Sequence, residues 1–391
     1  MRSWPTLQSI HYYRDVFSPT KYFNDALNEQ RTPIFIYHDL EPQEFESHLK
    51  FLKNNGYEAV ACEDKPWETD DKKKVILSFD DGRRSVWTVA YPLLRKYGFR
   101  GTAFISPGII PDEGITPTIE NGNIDTLVKH DFGNAELFSW KEARVMHDSG
   151  IIDLQLHGFA HSRIFVSNKI IDFERPERWD RNRAVSAWQI QRDTQDIFLN
   201  KLKPGQPIYE NDSRWGIRPR YFDNEELSEL CVQFVQDNGG EVNFFQNKYW
   251  RQQLLDITNK YQSSTEPQEK FESPTDTQEN LLYLLSKAKD ILESKIEKPI
   301  EHFALPWAKG DARLVSEIAN KIEIKHIYWA YHTKKELEAF NGTGSTHHRR
   351  IKDIFLLRLS GCDRQSILQL LFSEYLRIKQ DKKDHQIIKS R

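Results

Sequence analysis

Two adjacent aspartates, Asp80 and Asp81, end an apolar run in the stretch VILSFDDGRRS at residues 75–85. The apolar residues before them are typical of a buried strand. Two carboxylates this close repel each other, and their burial is costly unless a metal ion or hydrogen bonds compensate. One aspartate could bind a metal ion while the other accepts a proton, because different surroundings give identical groups different pKa values.

Two further apolar runs lead into residues that could do chemistry. The run IIDLQL is followed at once by His157 and then His161, and the run EHFALPW ends at Pro306 and Trp307. Two imidazoles and one carboxylate are a ligand set suited to catalytic zinc, with a position left open for water. Each fragment alone is common, so the prediction of a metal site depends on their occurring together, each after an apolar run.

Apolar runs alternate with helical patterns along the chain. The predicted strands are 33–40, 75–79, 101–106, 151–156, 301–307, 326–332 and 354–360. The helices predicted from apolar spacing are 42–55, 86–97, 140–150, 281–298 and 311–322. This alternation is typical of a (β/α) barrel or a doubly wound sheet. Both folds gather the residues that follow the carboxyl ends of their strands at one face.

The middle of the chain is polar and has few strand signals. We predict an N-terminal extension at 1–32, an α/β domain in two parts at 33–164 and 280–379, an insertion at 165–279 and a tail at 380–391. The insertion is predicted to contain helices at 184–202 and 224–238, and 263–280 to form a mobile loop. Its aromatic residues either line a glycan groove or, as we expect, form a small core of their own: Trp179, Trp188, Trp215, Tyr221, Phe244, Phe245, Tyr249 and Trp250.

Composition excludes some classes of function. The chain has 391 residues, a net charge of −3 and an isoelectric point near 6.5, so it offers no general basic field for nucleic acid. Its three cysteines are far apart in the sequence, which favours reduced thiols and a cytoplasmic location. We expect no export signal and no transmembrane helix, because no apolar stretch is long enough.

The motifs resemble those of the polysaccharide deacetylases with a NodB homology domain. SFDDG at 78–82 is similar to the first motif of that family, His157 and His161 to the second, and FALPWA at 303–308 to the third. The resemblance covers about 33–162 and 280–360. The sequence departs from the family pattern at Gly158, usually Ser or Thr, at Ala304, often Arg, and at Ala308, usually Gly.

This resemblance implies a distorted (β/α) barrel and a metal-dependent hydrolase that removes N-acetyl groups from amino sugars. Asp81, His157 and His161 would bind a divalent metal, most commonly Zn²⁺, with Co²⁺ or Ni²⁺ as alternatives. Metal-bound water would attack the amide carbonyl, Asp80 would accept its proton, and the backbone N–H of Trp307 would help to stabilise the oxyanion. We also expect substrate contacts from three residues in or beside the motifs, Phe159, Pro306 and His38.

The family's late motif, which supplies a general acid, has no clear match in this sequence. The candidates are His38, His326, His332, His347 and His348. We predict His347 or His348, because this pair lies just before the last predicted strand. Without such an acid, the enzyme would be slow or inactive, or water would protonate the amine.

The expected substrate is a saccharide, or an amino sugar linked to a lipid or a nucleotide. Two alternatives stay open at this point. A sugar deformylase or another amide hydrolase could use the same site, and a non-catalytic carbohydrate-binding homologue could keep the fold. The loss of the arginine at position 304 favours the second alternative.

Overall fold

The structure is a computed structural model that describes most of the chain. The described residues are 32–68, 73–112, 114, 137–176, 187–188, 202–264, 271–330, 344–366, 368–370, 372 and 376. Outside these ranges lie residues 1–31 of the predicted N-terminal extension, Trp179, His332, the predicted tail 380–391 and most of the predicted helix 184–202.

The described residues form eleven strands and eight α-helices. The strands are β1 Ile34–Tyr37, β2 Glu58–Val60, β3 Lys74–Asp80, β4 Gly101–Ile105, β5 Ile152–Leu156, β6 Ser162–Phe173, β7 Ala187–Trp188, β8 Pro207–Ser213, β9 His302–Ala304, β10 His326–Ala330 and β11 Thr346–Lys352. The helices are α1 Pro42–Asn54, α2 Tyr91–Tyr97, α3 Trp140–Asp148, α4 Glu225–Asp237, α5 Gly240–Asn243, α6 Trp250–Ser264, α7 Pro274–Ile296 and α8 Ala312–Lys321. Within the described residues, no helix combines the length and apolar character needed to cross a membrane.

Seven parallel strands close into a barrel. Their order is β1-β11-β10-β9-β5-β4-β3, and β1 pairs with β3 to complete the ring. The short strand β2 pairs with the beginning of β3. This closure distinguishes the barrel from a doubly wound sheet and confirms the predicted fold class. It also places the carboxyl ends of β3, β5 and β9 at one mouth, as the motif spacing requires.

Local sequence explains the helices that surround the barrel. In α1, the apolar residues Phe45, Leu49 and Leu52 are buried on one face, and the Glu41 side chain accepts a hydrogen bond from the Glu44 N–H at the first turn. Helix α7 begins earlier than predicted, because Ser273 caps its first turn. Much of the expected loop is therefore ordered helix.

The last strand of the barrel is not where apolarity predicts it. The predicted strand 354–360 is wrong: residues Asp353–Arg358 form a 3₁₀ turn, and the polar sequence THHRRIK forms β11. The apolar side chains of Ile354, Phe355 and Leu356 are buried as that turn packs on the barrel. Burial, rather than strand structure, accounts for their apolar character.

The insertion consists of a β-ribbon and helices with apolar cores of their own. Strands β6 and β8 pair antiparallel, β7 joins the edge of β6, and α4 to α6 follow. One cluster includes Trp188 and Tyr221, and a second includes Phe244 with Phe245 and Trp250 packed against it. Two aromatic residues depart from this pattern: Tyr249 is exposed, and Trp215 joins the core of the barrel.

Candidate active site

The carboxyl mouth of the barrel brings a carboxylate and two imidazoles together. Asp81 follows β3, and His157 follows β5. Asp81 Oδ1 lies 3.4 Å from His157 Nε2 and 3.4 Å from His161 Nε2. All three residues are buried, and they are the group of possible metal ligands found among the described residues, with ligand atoms within 4.8 Å of one another. The structure thus assembles the three predicted ligands.

The Asp-Asp-Gly sequence forms the turn that separates the two aspartates. Asp80 is the last residue of β3, whereas Asp81 and Gly82 have left-handed φ values of +73° and +77°. Aspartate tolerates this conformation better than most residues. Glycine is favoured at position 82, because the backbone there is left-handed and a Cβ would lie 2.7 Å from Ile110 Cδ1. The motif is therefore a structural turn and a ligand source at the same time.

A backbone contact orients the first histidine ligand. His157 Nδ1 lies 2.9 Å from the Ala304 carbonyl oxygen, to which it can donate a hydrogen bond. With Nδ1 held in this way, Nε2 is directed at Asp81, the arrangement that metal-binding histidines commonly show. Gly158 follows with φ +80°, so the position that is usually Ser or Thr in the family favours glycine here.

The Asp81 carboxylate fits a cation. Its Oδ2 accepts a hydrogen bond from Arg83 Nε at 3.2 Å. Its Oδ1 is buried and has no hydrogen-bond partner among the described residues. A buried carboxylate oxygen without a donor is costly, and a divalent ion shared with the two imidazoles would satisfy it.

The second aspartate has a partner of its own that the sequence reading missed. Arg350, in β11, donates to both oxygens of Asp80, at 2.5 Å and 2.9 Å, and both side chains are buried. Position 304, which is often arginine in the family, is the uncharged Ala304 at the end of β9. The guanidinium that contacts Asp80 comes instead from Arg350 in β11, two strands along the barrel. The two carboxylates are thereby separated in role, since Arg83 holds one and Arg350 the other.

The electrostatics keep the site in a form that can bind metal. Burial raises the pKa of Asp80, but the positive charge of Arg350, aided by His157, outweighs it and lowers the pKa overall. Burial also raises the pKa of Asp81, but interactions with the neighbouring histidines and Arg83 outweigh it, so the pKa lies well below its usual range. Burial lowers the pKa of His161 to about 3, so its imidazole is neutral near pH 7. Ionised carboxylates and neutral imidazoles are the ligand forms.

The third predicted motif forms a strained turn beside the ligands. Trp307 and Ala308 have φ values of +60° and +55°, so two successive non-glycine residues are left-handed. The Trp307 ring lies 4.4 Å from the ring of His161 and 4.6 Å from the Arg163 guanidinium. Pro306 is buried and would lie 3.3 Å from a Cβ on Gly158. The turn therefore borders the metal ligands, as predicted.

Two further residues were predicted to contact the substrate, His38 and Phe159. His38 is exposed and lies level with Asp80, since β1 pairs Tyr37 with Phe79, and its charge lowers the pKa of both aspartates. Phe159 packs against the barrel core and lies beneath the Lys287 ammonium group, 5.4 Å from its ring centre.

The structure places His347 and His348, the residues predicted to include the general acid, away from the two aspartates. His347 accepts a hydrogen bond from Trp329 Nε1 and faces Ser316 with its other nitrogen. His348 Nε2 lies 3.1 Å from His326 Nδ1, near the amino end of the barrel. Because these residues belong to β11 rather than to a loop before it, neither lies with the carboxylates.

Comparisons with known proteins match part of this chain to one family. Residues 68–200 match the family model described as Polysaccharide deacetylase. The YxkH protein of Bacillus subtilis is 35% identical over 88 residues, which are 19% of this chain and 32% of that protein. A poly-β-1,6-N-acetyl-D-glucosamine N-deacetylase of Staphylococcus aureus is 24% identical over 136 residues, 34% of this chain and 41% of that enzyme. The chain thus matches less than half the length of each relative.

Solved structures of similar proteins were also found. A de-N-acetylase from Aggregatibacter actinomycetemcomitans has 15% identity and a TM-score of 0.46, covering 82% of this chain and 94% of that one. IcaB from Ammonifex degensii has 13% identity and a TM-score of 0.42, covering 83% and 93%. The family match, which spans the first two motifs, confirms the resemblance predicted from the sequence.

Proposed function

We propose that this chain, a relative of the polysaccharide deacetylases, is a metal-dependent hydrolase that removes N-acetyl groups from an amino-sugar unit of a saccharide. The observation that carries the proposal is the buried group Asp81, His157 and His161 beside an aspartate that Arg350 holds by both oxygens. This arrangement combines a metal site with a separate proton acceptor, which hydrolysis of an amide requires.

The metal would be held by Asp81 Oδ1 and by the Nε2 atoms of His157 and His161. Zn²⁺ suits two imidazoles and one carboxylate best, and Co²⁺ and Ni²⁺ suit the same ligands. When bound, such an ion polarises the amide carbonyl and lowers the pKa of a water molecule.

Asp80 acts as the general base. It is ionised at neutral pH, because Arg350 and His157 lower its pKa. The two hydrogen bonds from Arg350 fix the plane of the carboxylate, and His157 Nε2 lies 3.7 Å from its Oδ2. The base is thereby held beside the ligands, where it can take the proton of the attacking water.

The turn at Trp307 contributes to binding and to the oxyanion. Its backbone N–H is the donor for the negative oxygen that develops on the amide carbon. Its indole, which stacks near His161, forms a wall against which a sugar ring can pack.

His38 replaces His347 and His348 as the general acid in this proposal. It is exposed at the mouth of the barrel, and its charge acts on Asp80, Asp81 and His161. A histidine in this place can donate a proton to the amine as it leaves.

The substrate proposed first is a β-1,6-linked N-acetylglucosamine oligomer, the class named for the Staphylococcus aureus relative. Amino sugars linked to a lipid or to a nucleotide stay in the proposal as further substrates. The cytoplasmic location stays a prediction.

The test is release of acetate from these substrates by the zinc-loaded protein, beside the Asp80→Asn variant. We expect acetate from the wild-type protein and at most a trace from the variant. Formate or ammonia in place of acetate would identify another amide hydrolase. Binding of the oligomer without any release, equal in both proteins, would identify a non-catalytic homologue.

A further inference from the structure

One segment of the insertion contacts several parts of the candidate site. Residues 212–216, here called the clamp segment, follow and include the end of β8. The insertion lies outside the motifs that predict the site, so nothing in the spacing of those motifs indicates this contact. Its contacts fall on the turn after His157, on residue 162 and on residues 305–310, here called the Trp307 loop.

Trp215 packs between the turn after His157 and the Trp307 loop. It is only 6% exposed and belongs to the core of the barrel rather than to either core of the insertion. Its ring lies 5.1 Å from the Phe303 ring, in the strand that leads to the Trp307 loop. A Cβ on Gly158, the residue after the ligand His157, would lie 3.5 Å from its Nε1. The indole therefore fills the space between a ligand turn and β9.

The clamp segment also holds the far side of the Trp307 loop. Asp212 Oδ1 accepts a hydrogen bond from Lys309 Nζ at 2.6 Å. A Cβ on Gly310 would lie 3.5 Å from the Trp215 carbonyl oxygen, so the two backbones are in close contact. The loop contains two left-handed residues, Trp307 and Ala308, which persist only where surrounding contacts fix them.

The clamp segment is itself firmly anchored. Arg214 donates to both oxygens of Glu272 at 2.7 Å and 2.8 Å, and both side chains are buried. The Arg214 backbone N–H donates to the Ser162 carbonyl oxygen at 3.0 Å, one residue after the ligand His161. These bonds tie the segment to the ligand loop and to the residues just before α7.

The geometry points to Trp215 as a positioning residue for catalysis, with Asp212 in support. In this inference, which rests on the proposed function, the insertion is a working part of the active site. It holds the oxyanion donor of the Trp307 loop at its distance from the metal ligands. Misplacement of such a donor by about 1 Å can lower turnover by ~100-fold. Two of the proposed metal ligands, Asp81 and His157, are held by partners other than Trp215.

The experiment compares Trp215→Leu and Trp215→Phe with Tyr221→Leu in the full chain. Tyr221 is a buried aromatic of the insertion that packs with Tyr209 and Phe271, so it controls for a weakened insertion. We measure bound zinc, kcat and KM for acetate release, and hydrogen exchange of residues 303–310. Trp215→Leu should keep its zinc, lose ~100-fold in kcat and exchange faster at 303–310. Trp215→Phe should recover most of kcat, and Tyr221→Leu should retain it.

Asp212→Asn provides a second test that does not open the core. It should speed exchange at 303–310 and lower kcat several-fold with zinc retained, and the exchanged pair Asp212→Lys with Lys309→Asp should restore both. Unchanged exchange at 303–310 in Trp215→Leu and Asp212→Asn would overturn the inference. So would faster exchange with full kcat, or an equal loss of kcat in Tyr221→Leu. If the wild-type protein released no acetate, the proposed function would fail, while exchange would still decide whether the clamp segment holds the loop.

Discussion

Both ends of the barrel carry clustered histidines, and the two clusters are built differently. At the carboxyl end, His157 and His161 face Asp81 Oδ1, which is buried without a hydrogen-bond donor among the described residues. At the opposite end is an amino-end cluster in which aromatic and imidazole rings pack against one another. Its members are Trp67, His302, His326, Tyr328 and His348.

Three imidazole nitrogens of the amino-end cluster have hydrogen-bonding partners within it. His302 Nδ1 lies 2.8 Å from the Tyr328 hydroxyl, and His326 Nδ1 lies 3.1 Å from His348 Nε2. Trp67 covers His348 at a ring distance of 4.3 Å. Clustered imidazoles alone therefore do not make a metal site. The carboxyl end differs because Asp81 Oδ1, which has no hydrogen-bond partner in the part of the chain that the structure describes, faces both imidazoles.

The largest expected effect is on turnover, in a variant that removes the proton acceptor at the carboxyl end and keeps the proposed metal ligands. Asp80→Asn removes the base but keeps Asp81, His157 and His161, so zinc should stay bound while kcat falls by ~10²–10⁴-fold. Acetate release and elemental analysis of the same sample would measure both. An Asp80→Asn variant with full turnover would remove Asp80 as the base.

The next effect concerns the ion pair that distinguishes the two carboxylates. Arg350→Met leaves the buried Asp80 carboxylate without its partner, so the free energy of unfolding should fall by about 3–5 kcal/mol. The double variant Asp80→Asn with Arg350→Met should regain most of that stability, because no buried charge is left unpaired. Urea unfolding of the three proteins is the measurement. Equal stability of Arg350→Met and wild type would contradict the pairing.

At the amino end, the expected effect is a dependence of stability on pH. Burial, with Lys65 and Lys325 adding to it and Glu301 opposing it, lowers the pKa of His326 from its ordinary 6.5 to about 4. Between these values the unfolded chain binds a proton that the folded chain does not. The free energy of unfolding should therefore fall as the pH drops from 6.5 towards 4, by about 1 kcal/mol per pH unit for a buried neutral histidine.

Urea unfolding of the wild type and of His326→Asn, near pH 7 and near pH 5, would measure the contribution of His326 to this pH dependence. The variant should lose less stability on acidification, because it has one fewer histidine to protonate in the unfolded state. The same loss in both proteins would mean that His326 is not held neutral by its cluster.

The smallest expected effect lies in the strained turn at the carboxyl end. Ala308 is left-handed at φ +55°, which costs an alanine roughly 1 kcal/mol. Ala308→Gly relieves that strain but raises the conformational entropy of the unfolded chain. The free energy of unfolding is therefore expected to rise by at most about 1 kcal/mol. Thermal unfolding would show a slightly higher midpoint, whereas a lower midpoint would argue against strain at this residue.

The sequence predicts that Asp81, His157 and His161 lie together, because they belong to short motifs at strand ends. Asp80, Asp81, His157 and His161 each follow an apolar run, and the closed parallel barrel brings those ends together. The same reasoning predicts the fold class, since alternating strands and helices leave few topologies.

Residues distant in sequence from those motifs escaped prediction. Arg350 lies in β11, whose polar sequence THHRRIK resembles a loop. The strand can be polar because Arg350 forms a buried ion pair with Asp80 inside the barrel. The same misplaced strand explains why His347 and His348 were expected in a loop at the site rather than within β11. Trp215 was expected in the insertion's own core, and only the three-dimensional contacts with Phe303 and Gly158 place it beside the site.

The central claim is that one end of the barrel binds metal and the other does not. The most direct test is the zinc content of the purified protein by elemental mass spectrometry, beside His157→Ala and His326→Ala. The account predicts about one ion per chain in the wild type, loss of that ion in His157→Ala and its retention in His326→Ala. Zinc retained in His157→Ala, or lost instead in His326→Ala, would contradict it, as would an empty wild-type protein after incubation with zinc.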